Sequence, residues 1–460
     1  MFPASTDWTP EKVRTDDKFF DTAADIADAP CELRDRVTVV ILTIIGLLLV
    51  LTLVIGVWRM LLAVMLVRPS CDQVFDWLKT SFDQQSGPGA AINALVIAMA
   101  IIAVAHVPGV LVIAPLLAWL GFLLAAAASL LQTPDAAGGL RIFLTLTTYA
   151  AVFALPYTVI QSRSAVVQCF TVTVCSSLIP STFALLELAM TPTILTGEQR
   201  LQSTFTHPNI YAFYIVVIVA AILFMTCSTT VTLSKSVRRM LFVYGGYLLL
   251  LLLLTKTRSA WLSMLIIMTG YGLVIDKRAL LPLFGLPIVL LIPGVAERIA
   301  DLGSGTVDVG YEQLNSFVWR KVLWNDTLEW LATNPSGVFG YGLSSYQSYV
   351  PMFFSRGVGQ PGIGPHNAFL QIYFEMGVVG LTSFLLLMAA IASKLIHRLR
   401  EDFAGSFVML MMCVGYMVVF YSDNLLDYLQ YQWLFWFTLG SACASTRFAV
   451  YPSQVRLVAS

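Results

Sequence analysis

The sequence predicts an all-α protein that crosses a membrane many times, and three observations lead to this prediction. Of the 460 residues, 58% are hydrophobic and only 12% are charged, whereas soluble domains carry about 25% charged residues. The mean hydropathy is +0.79. Apolar runs long enough to cross a bilayer as helices recur along most of the chain. The formal net charge is zero, so the overall charge gives no indication of nucleic-acid binding.

The apolar runs predict about twelve transmembrane helices, each needing roughly 20 residues. They cover residues 38–66, 90–107, 109–131, 141–160, 165–187, 208–227, 238–255, 259–275, 279–296, 369–392, 404–422 and 429–446. The first run is too long for a cleaved signal peptide and is expected to stay as an anchor. It forms either one long tilted helix or a span with a re-entrant piece, since Arg59 interrupts it.

The distribution of Lys and Arg predicts that both termini are cytoplasmic. Short loops on the side of the N-terminus carry more of these residues than loops on the opposite side, as the positive-inside rule requires. The predicted organisation is a cytoplasmic tail at 1–36, helices within 37–296, a large periplasmic loop at 297–368, helices within 369–446 and a second cytoplasmic tail at 447–460.

The large loop is expected to be partly helical and functional. Residues 316–332 place apolar side chains at helical spacing, and the NPSG that follows ends the helix. Loops of this length inside a compact fold usually carry function.

The cysteines and histidines do not predict a metal or redox site. None of the seven cysteines forms a CxxC pair, and the four histidines show neither HExxH nor HxH spacing. We therefore expect no metal ion and no cofactor, and interpret the cysteines as small packing residues.

Several arginines on the outward side of the predicted topology are candidate ligands of an anion. A charge within a span costs about 2.5–3.5 kcal/mol and usually faces a cavity or a partner. The planar guanidinium can bind two phosphoryl oxygens at once, which suits a lipid-linked diphosphate. The candidates are Arg141, Arg200, Arg258 and Arg320. For Arg141 and Arg200, interfacial contact with lipid phosphates explains the position equally well, and Lys256 is interpreted as an interfacial anchor.

His366 lies where a Gly/Pro-rich loop becomes an apolar helix, in GIGPHNAFLQIYFEMGVVG. A neutral imidazole there can accept a proton near pH 7, and the adjacent helix N-terminus favours an anion; the alternative is a structural histidine. Glu375 either orients His366 or, as we prefer, forms a structural ion pair with an arginine. Asp423, in YSDNLLDY, either binds sugar hydroxyls or faces water.

Four motifs occur in a defined order: RLQSTFTHPNIYA, TKTRSAWL, WRKVLW with GYGLSSY, and PHNAFLQIYFEMGVVGL. Over about residues 195–385 the chain therefore resembles the O-antigen ligase and polymerase superfamily of bacterial integral membrane enzymes. The resemblance implies an inverting, metal-independent glycosyl transfer at the periplasmic face of the inner membrane. The implied donor is a glycan on undecaprenyl diphosphate.

The resemblance also assigns residue roles. Arg258 matches the arginine of a T-x-S-R-like motif, although Thr257 stands where serine is common. Arg320 matches an arginine of the large loop, and His366 matches the histidine at the end of that loop. The arginines are then expected to hold the diphosphate, while the histidine positions or deprotonates the acceptor hydroxyl.

The resemblance does not identify the acceptor molecule. A polymerase extends O-antigen or exopolysaccharide on another lipid-linked unit, whereas a ligase transfers the glycan to lipid A-core. We prefer the polymerase, for which a chain-length regulator is a candidate partner. A transporter or flippase for lipid-linked oligosaccharides is the alternative from another class. Transporters bind near the bilayer midplane, whereas these charges lie at the outer boundary.

Overall fold

The computed structural model describes residues 50–81, 88–196, 199–281, 316–354 and 362–445, with isolated positions at 43, 46–48 and 296. Within these residues the regular structure is helical without strands, and eight helices are long and apolar enough to cross a membrane. The prediction of an all-α, multi-pass membrane protein is thus confirmed. Most of the predicted span at 279–296 and both tails lie outside the described residues, so the number twelve stays a prediction.

The described helices, numbered in chain order, are α1 (Val57–Val67), α2 (Asp72–Ser81), α3 (Pro88–His106), α4 (Ala114–Ser129), α5 (Ala136–Val159), α6 (Arg163–Cys175), α7 (Leu178–Met190), α8 (Thr193–Thr196), α9 (Pro208–Cys227), α10 (Lys235–Leu254), α11 (Arg258–Val274), α12 (Ser316–Thr333), α13 (Tyr346–Phe353), α14 (Ala368–Arg398), α15 (Phe403–Ser422) and α16 (Leu429–Ala444). The helix predicted at 316–332 is α12. Two predicted spans, α11 with 17 residues and α16 with 16 residues, are shorter helices.

A glycine divides the first apolar run. Gly56 adopts φ 88° between a helical stretch ending at Ile55 and α1, a conformation that residues with a side chain rarely adopt. Arg59 continues inside α1 and does not interrupt it. The break predicted at Arg59 therefore lies three residues earlier, and the beginning of this run lies outside the described residues.

Helix α9 forms the centre of the bundle. In its apolar window 94% of the residues are buried, and it packs against α6, α10, α15 and α16. Around it, α16 packs on α5 and α14 packs on α4. Because α9 is enclosed on all sides, its N-terminus is held firmly at one end of the bundle.

Helix α14 is broken at Gly377, where φ is 65°. The segment that follows α12 packs directly against this break. A Cβ atom on Gly377 would lie 2.3 Å from the carbonyl oxygen of Val338. Tyr341 donates its backbone N–H to the carbonyl of Phe374 at 2.9 Å. Freed backbone groups inside a membrane protein need such partners. The break thereby fixes the loop that carries α12 against the first turns of α14.

The two ends of the bundle differ in their polar contacts. At one end, the N-termini of α9, α11 and α14 meet the C-terminus of α15. At the other end, Arg398 and Asp402 form a buried ion pair of 3.2 Å. There Arg398 also donates to the carbonyl of Ala442 at 2.8 Å, and Ser228 donates to Asp402 at 2.5 Å. Helix α14 therefore runs from the first end to this ion pair, and α15 returns to the first end.

Candidate functional site

The polar centre of the first end is a hydrogen-bond network around Asn209. Arg200 donates through Nη2 to the side-chain oxygen of Asn209 at 2.6 Å and to the hydroxyl of Thr257 at 2.8 Å. Its Nε donates to the carbonyl of Thr255 at 2.8 Å. The side-chain amide of Asn209 donates to Asp423 at 2.8 Å. The network thus joins the start of α9, the turn before α11 and the end of α15.

Asp423 is buried and orients its neighbours. Its carboxylate accepts from Asn209, from the hydroxyl of Tyr428 at 2.7 Å and from the backbone N–H of Asn424 at 2.9 Å. Three donors stabilise the charge within this one carboxylate. The position assigns Asp423 the role of holding Asn209 and Asn424 in place.

Two further arginines reach this end through α12. Arg258, the first residue of α11, donates through Nη2 to the hydroxyl of Ser316 at 2.5 Å. Ser316 lies one turn before Arg320 on α12, and residues four apart share a helix face. Arg320 donates through Nη1 to the carbonyl of Ser422 at 2.7 Å. Helix α12 therefore brings Arg320 beside the turn that contains Asp423 and links it to Arg258.

His366 is held in a left-handed backbone conformation immediately before α14. Its φ is 48°, and its N–H donates to the side-chain oxygen of Asn424 at 2.6 Å. Trp324 donates to the carbonyl of the preceding Pro365 at 2.7 Å. Non-glycine residues in this region cost about 1–3 kcal/mol and cluster at functional sites. Two contacts from other elements thus hold the strained residue in place.

The imidazole of His366 is positioned to stay neutral. Its ring lies edge-on to Trp319 with 5.6 Å between ring centroids, and its Nδ1 is buried without a hydrogen-bond partner among the described residues. Burial, followed by the charge of Arg320, lowers the pKa of His366 to about 4, although Asp423 acts in the opposite direction. A neutral imidazole with an unused nitrogen can accept a proton.

The structure brings together five of the residues that sequence analysis singled out. Arg200, Arg258, Arg320, His366 and Asp423 belong to the connected contacts described above. We call them the arginine–histidine cluster. Three guanidinium groups are thus gathered at one end of the bundle, and such groups are suited to bind an anion.

Arg141 and Glu375 lie apart from these contacts. Arg141 is exposed to a neighbouring polar cavity. Glu375 is buried in α14, where its carboxylate accepts from the backbone N–H of Tyr346 at 3.4 Å. Neither an arginine nor His366 is among its hydrogen-bond partners in the described part of the chain, so the expected ion pair is not observed there. Lys256 is buried rather than interfacial, and it donates to the carbonyl of Ile194 at 2.9 Å.

Sequence reasoning missed the amides that position the cluster. Asn209 lies at a helix start, in HPN, but it does not make the cap. His207 makes the cap, since its Nδ1 accepts from the backbone N–H of Asn209 at 3.1 Å. No local pattern singles out Asn424, which lies in YSDNLLDY. No group of three or more His, Cys, Asp or Glu residues in the described ranges could hold a metal ion, and the absence of a metal stays a prediction.

Comparison with known families adds an independent finding. Residues 214–385 match the model of the family described as O-antigen ligase. The matched segment contains Arg258, Arg320, His366 and Glu375, whereas Arg141, Arg200 and Asp423 lie outside it. None of the curated proteins compared with the chain matches it. The match supports a membrane glycosyltransferase activity of the O-antigen ligase and polymerase type, and it confirms the resemblance to that superfamily over this segment.

Proposed function

We propose that the protein transfers a glycan from undecaprenyl diphosphate to an acceptor hydroxyl at the periplasmic face of the bacterial inner membrane. The observation that supports this most strongly is the arginine–histidine cluster at one end of the bundle. A transporter is less well supported, since these charges lie at the helix ends rather than near the middle of the spans. The periplasmic orientation rests on the distribution of Lys and Arg.

In the proposed reaction, the neutral imidazole of His366 accepts the proton of the acceptor hydroxyl. The hydroxyl oxygen attacks the anomeric carbon from the side opposite the diphosphate. The bond between that carbon and the diphosphate oxygen breaks, and its electron pair leaves with the undecaprenyl diphosphate. The anomeric configuration is therefore inverted. General base catalysis of this kind contributes about 10²–10⁴-fold to a rate.

Arg258 and Arg320 are proposed to bind the diphosphate, with Arg200 supporting them from the Asn209 network. Negative charge grows on the diphosphate as the glycosidic bond breaks, and fixed donors stabilise it without reorganisation. Because the guanidinium groups supply the positive charge, we propose that transfer needs no metal ion and continues in the presence of a chelator.

We propose the polymerase reaction rather than the ligase reaction. A polar cavity adjoins the cluster and offers space for the sugars of a second lipid-linked repeat unit. A chain-length regulator would be the partner expected for a polymerase, whereas a ligase would use lipid A-core as its acceptor.

The purified protein in lipid nanodiscs, supplied only with lipid-linked repeat units, tests these assignments. Chain growth is expected. Transfer that starts only after lipid A-core is added would identify a ligase instead. Movement of the donor across proteoliposome membranes without a new glycosidic bond would overturn the enzymatic proposal.

Matched variants test the site. Arg258→Ala, Arg320→Ala and His366→Ala should each lower transfer by at least about 100-fold, the scale of one lost transition-state donor. Arg258→Lys should restore only part of the activity, since lysine lacks the planar fork. Arg239→Ala is the control, because Arg239 is exposed in the first turns of α10 at the opposite end. An equal loss of transfer activity in Arg239→Ala would show that the active site lies elsewhere.

A further inference from the structure

A polar cavity of 590 Å³ lies beside the arginine–histidine cluster, within the range of about 300–1,000 Å³ typical of small-molecule sites. The lining lies near the cluster along the chain. Thr206 lies three residues before Asn209 of the cluster's hydrogen-bond network, and Asp427 lies four residues after Asp423. The charged and amide residues of its lining include Arg68, Asp72, Asn93, Arg141, Gln371 and Asp427.

Arg68 is the most informative of these residues. It is only 5% exposed, yet its Nε and Nη1 have no hydrogen-bond partner among the described residues. The guanidinium lies 4.6 Å from the ring centroid of Phe75 and 5.8 Å from that of Trp433. Both rings restrict the orientation of its plane. A buried donor without a partner is unfavourable, and oxygens that accept from these nitrogens, which lie on different edges of the guanidinium, would remove that cost.

The nearby carboxylate of Asp72 does not supply those oxygens. Its Oδ2 accepts from the backbone N–H and the hydroxyl of Thr206, each at 3.1 Å. Its Oδ1 accepts from the side-chain amide of Gln430. Asp72 therefore attracts Arg68 electrostatically, but the hydrogen bonds to its oxygens described here come from Thr206 and Gln430.

Two amide oxygens in the same cavity also have no partner. The side-chain oxygens of Asn93 and Gln371 are buried and accept no hydrogen bond from a described residue. Such acceptors suit sugar hydroxyls, which donate. The cavity therefore combines one preformed fork for an anion with acceptors for hydroxyl groups.

We propose that this cavity binds an acidic sugar of the substrate glycan, with the sugar carboxylate held by the guanidinium of Arg68. This inference rests on the proposed function and extends it to the class of substrate. A carboxylate fits better than a phosphate, because Asp72, Asp76 and Asp427 also line the cavity. Their charges would repel a dianion more strongly than a monoanion.

Binding is measured first, because it does not require transfer. Methyl glucuronide, methyl glucoside and glucose 6-phosphate are compared by ligand-observed saturation-transfer NMR on the full-length protein in nanodiscs. The glucuronide should bind at least about tenfold more tightly than the glucoside, since charged hydrogen bonds contribute about 1.5–3 kcal/mol. Equal binding of glucuronide and glucoside, or tighter binding of the phosphate, would overturn the inference.

Two variants test the role of Arg68. Arg68→Gln should abolish the preference for glucuronide. Arg68→Gln also removes the stacking of the guanidinium on Phe75, so a second variant is needed. Asn93→Asp adds a negative charge to the cavity and keeps a side chain of nearly the same size. It should weaken glucuronide binding more than glucoside binding, because only the glucuronide carries a negative charge. Arg239→Gln at the opposite end should alter neither, and a glucuronide preference that survives in both cavity variants would contradict the proposal.

Transfer assays then separate the two proposals. Lipid-linked repeat units with a uronic acid are compared with the same units after reduction of the carboxyl group to an alcohol. A lower kcat/KM for the reduced units is expected, and Arg68→Gln should remove that difference. Equal transfer of both units would overturn the acidic-sugar inference alone, whereas glucuronide binding without transfer of either unit would overturn the proposed function alone.

Discussion

The pH dependence of Arg320→Gln tests how the cluster prepares His366. Arg320 and His366 come from different elements, and the charge of Arg320 is the second largest cause of the low pKa of the imidazole, after burial. Replacing arginine with glutamine removes the charge and keeps a polar side chain. Arg320→Lys is the matched control, because it retains the charge.

The magnitude follows from the structure. The pKa of His366 is lowered from 6.5 to about 4, which corresponds to about 3 kcal/mol against protonation. A general base must be neutral, and a lowered pKa keeps it neutral in more acidic solution. In the wild type the activity should therefore fall only well below pH 6. A neighbouring charge shifts a pKa by about one or more units, so in Arg320→Gln the fall should begin about one pH unit higher.

The assay is kcat/KM for glycan transfer between pH 3 and pH 8, a range that includes the pKa of about 4, since this quantity reports the ionisation of the free enzyme. Arg320→Gln will also transfer more slowly, because Arg320 is proposed to bind the diphosphate. The diagnostic quantity is therefore the pH of half-maximal activity rather than the maximal rate. Ionisation of the substrate is the same for every variant and cancels in the comparison.

Two results would refute this reasoning. A wild-type profile that falls near pH 6.5 would show that His366 titrates like a histidine in water or is not the base. Identical acid limbs in Arg320→Gln, Arg320→Lys and the wild type would show that Arg320 does not act on His366. Thermal unfolding at each pH distinguishes loss of the fold from loss of the base.

Three further changes probe the supports of the site and the scaffold. Asn424→Ala should lower the transfer rate about tenfold, because the backbone N–H of His366 loses its hydrogen-bond partner at a cost of about 1–3 kcal/mol. An unchanged transfer rate would show that Asn424 does not position His366. Gly377→Ala should reduce folded yield in size-exclusion chromatography, because φ 65° and the approach of the preceding loop exclude a Cβ; normal yield would mean that the break is not required. Arg398→Ala should destabilise the protein by about 3–5 kcal/mol in unfolding measurements, because it leaves Asp402 buried without its cation. The protein that remains folded should keep its specific activity, and a selective loss of activity would contradict a purely structural role for this ion pair.

The sequence predicted the helical class and the key arginines because both leave strong local signals. Arg258 and Arg320 interrupt apolar or helical patterns, and charge in such places is costly. The break at Gly377 left no comparable signal, because it lies within the apolar run FEMGVVGL and glycine is common in transmembrane helices.

Long-range contacts account for the positions that sequence reasoning missed. Arg68 stacks on Trp433 and His366 bonds to Asn424, and no spacing within a local motif reports such pairs. Glu375 was interpreted as half of an ion pair because carboxylates within spans usually find a cation. The fold instead offers it the backbone N–H of Tyr346.

The central claim is that guanidinium groups and a neutral imidazole act on one lipid-linked diphosphate. Its most direct test is to quantify, in one reaction of the purified protein, the undecaprenyl diphosphate released, the glycosidic bonds formed and their anomeric configuration by NMR. The account predicts one diphosphate released per bond, inversion at the anomeric carbon, and loss of both products in His366→Ala. Retention of configuration, or unchanged product in His366→Ala, would contradict it.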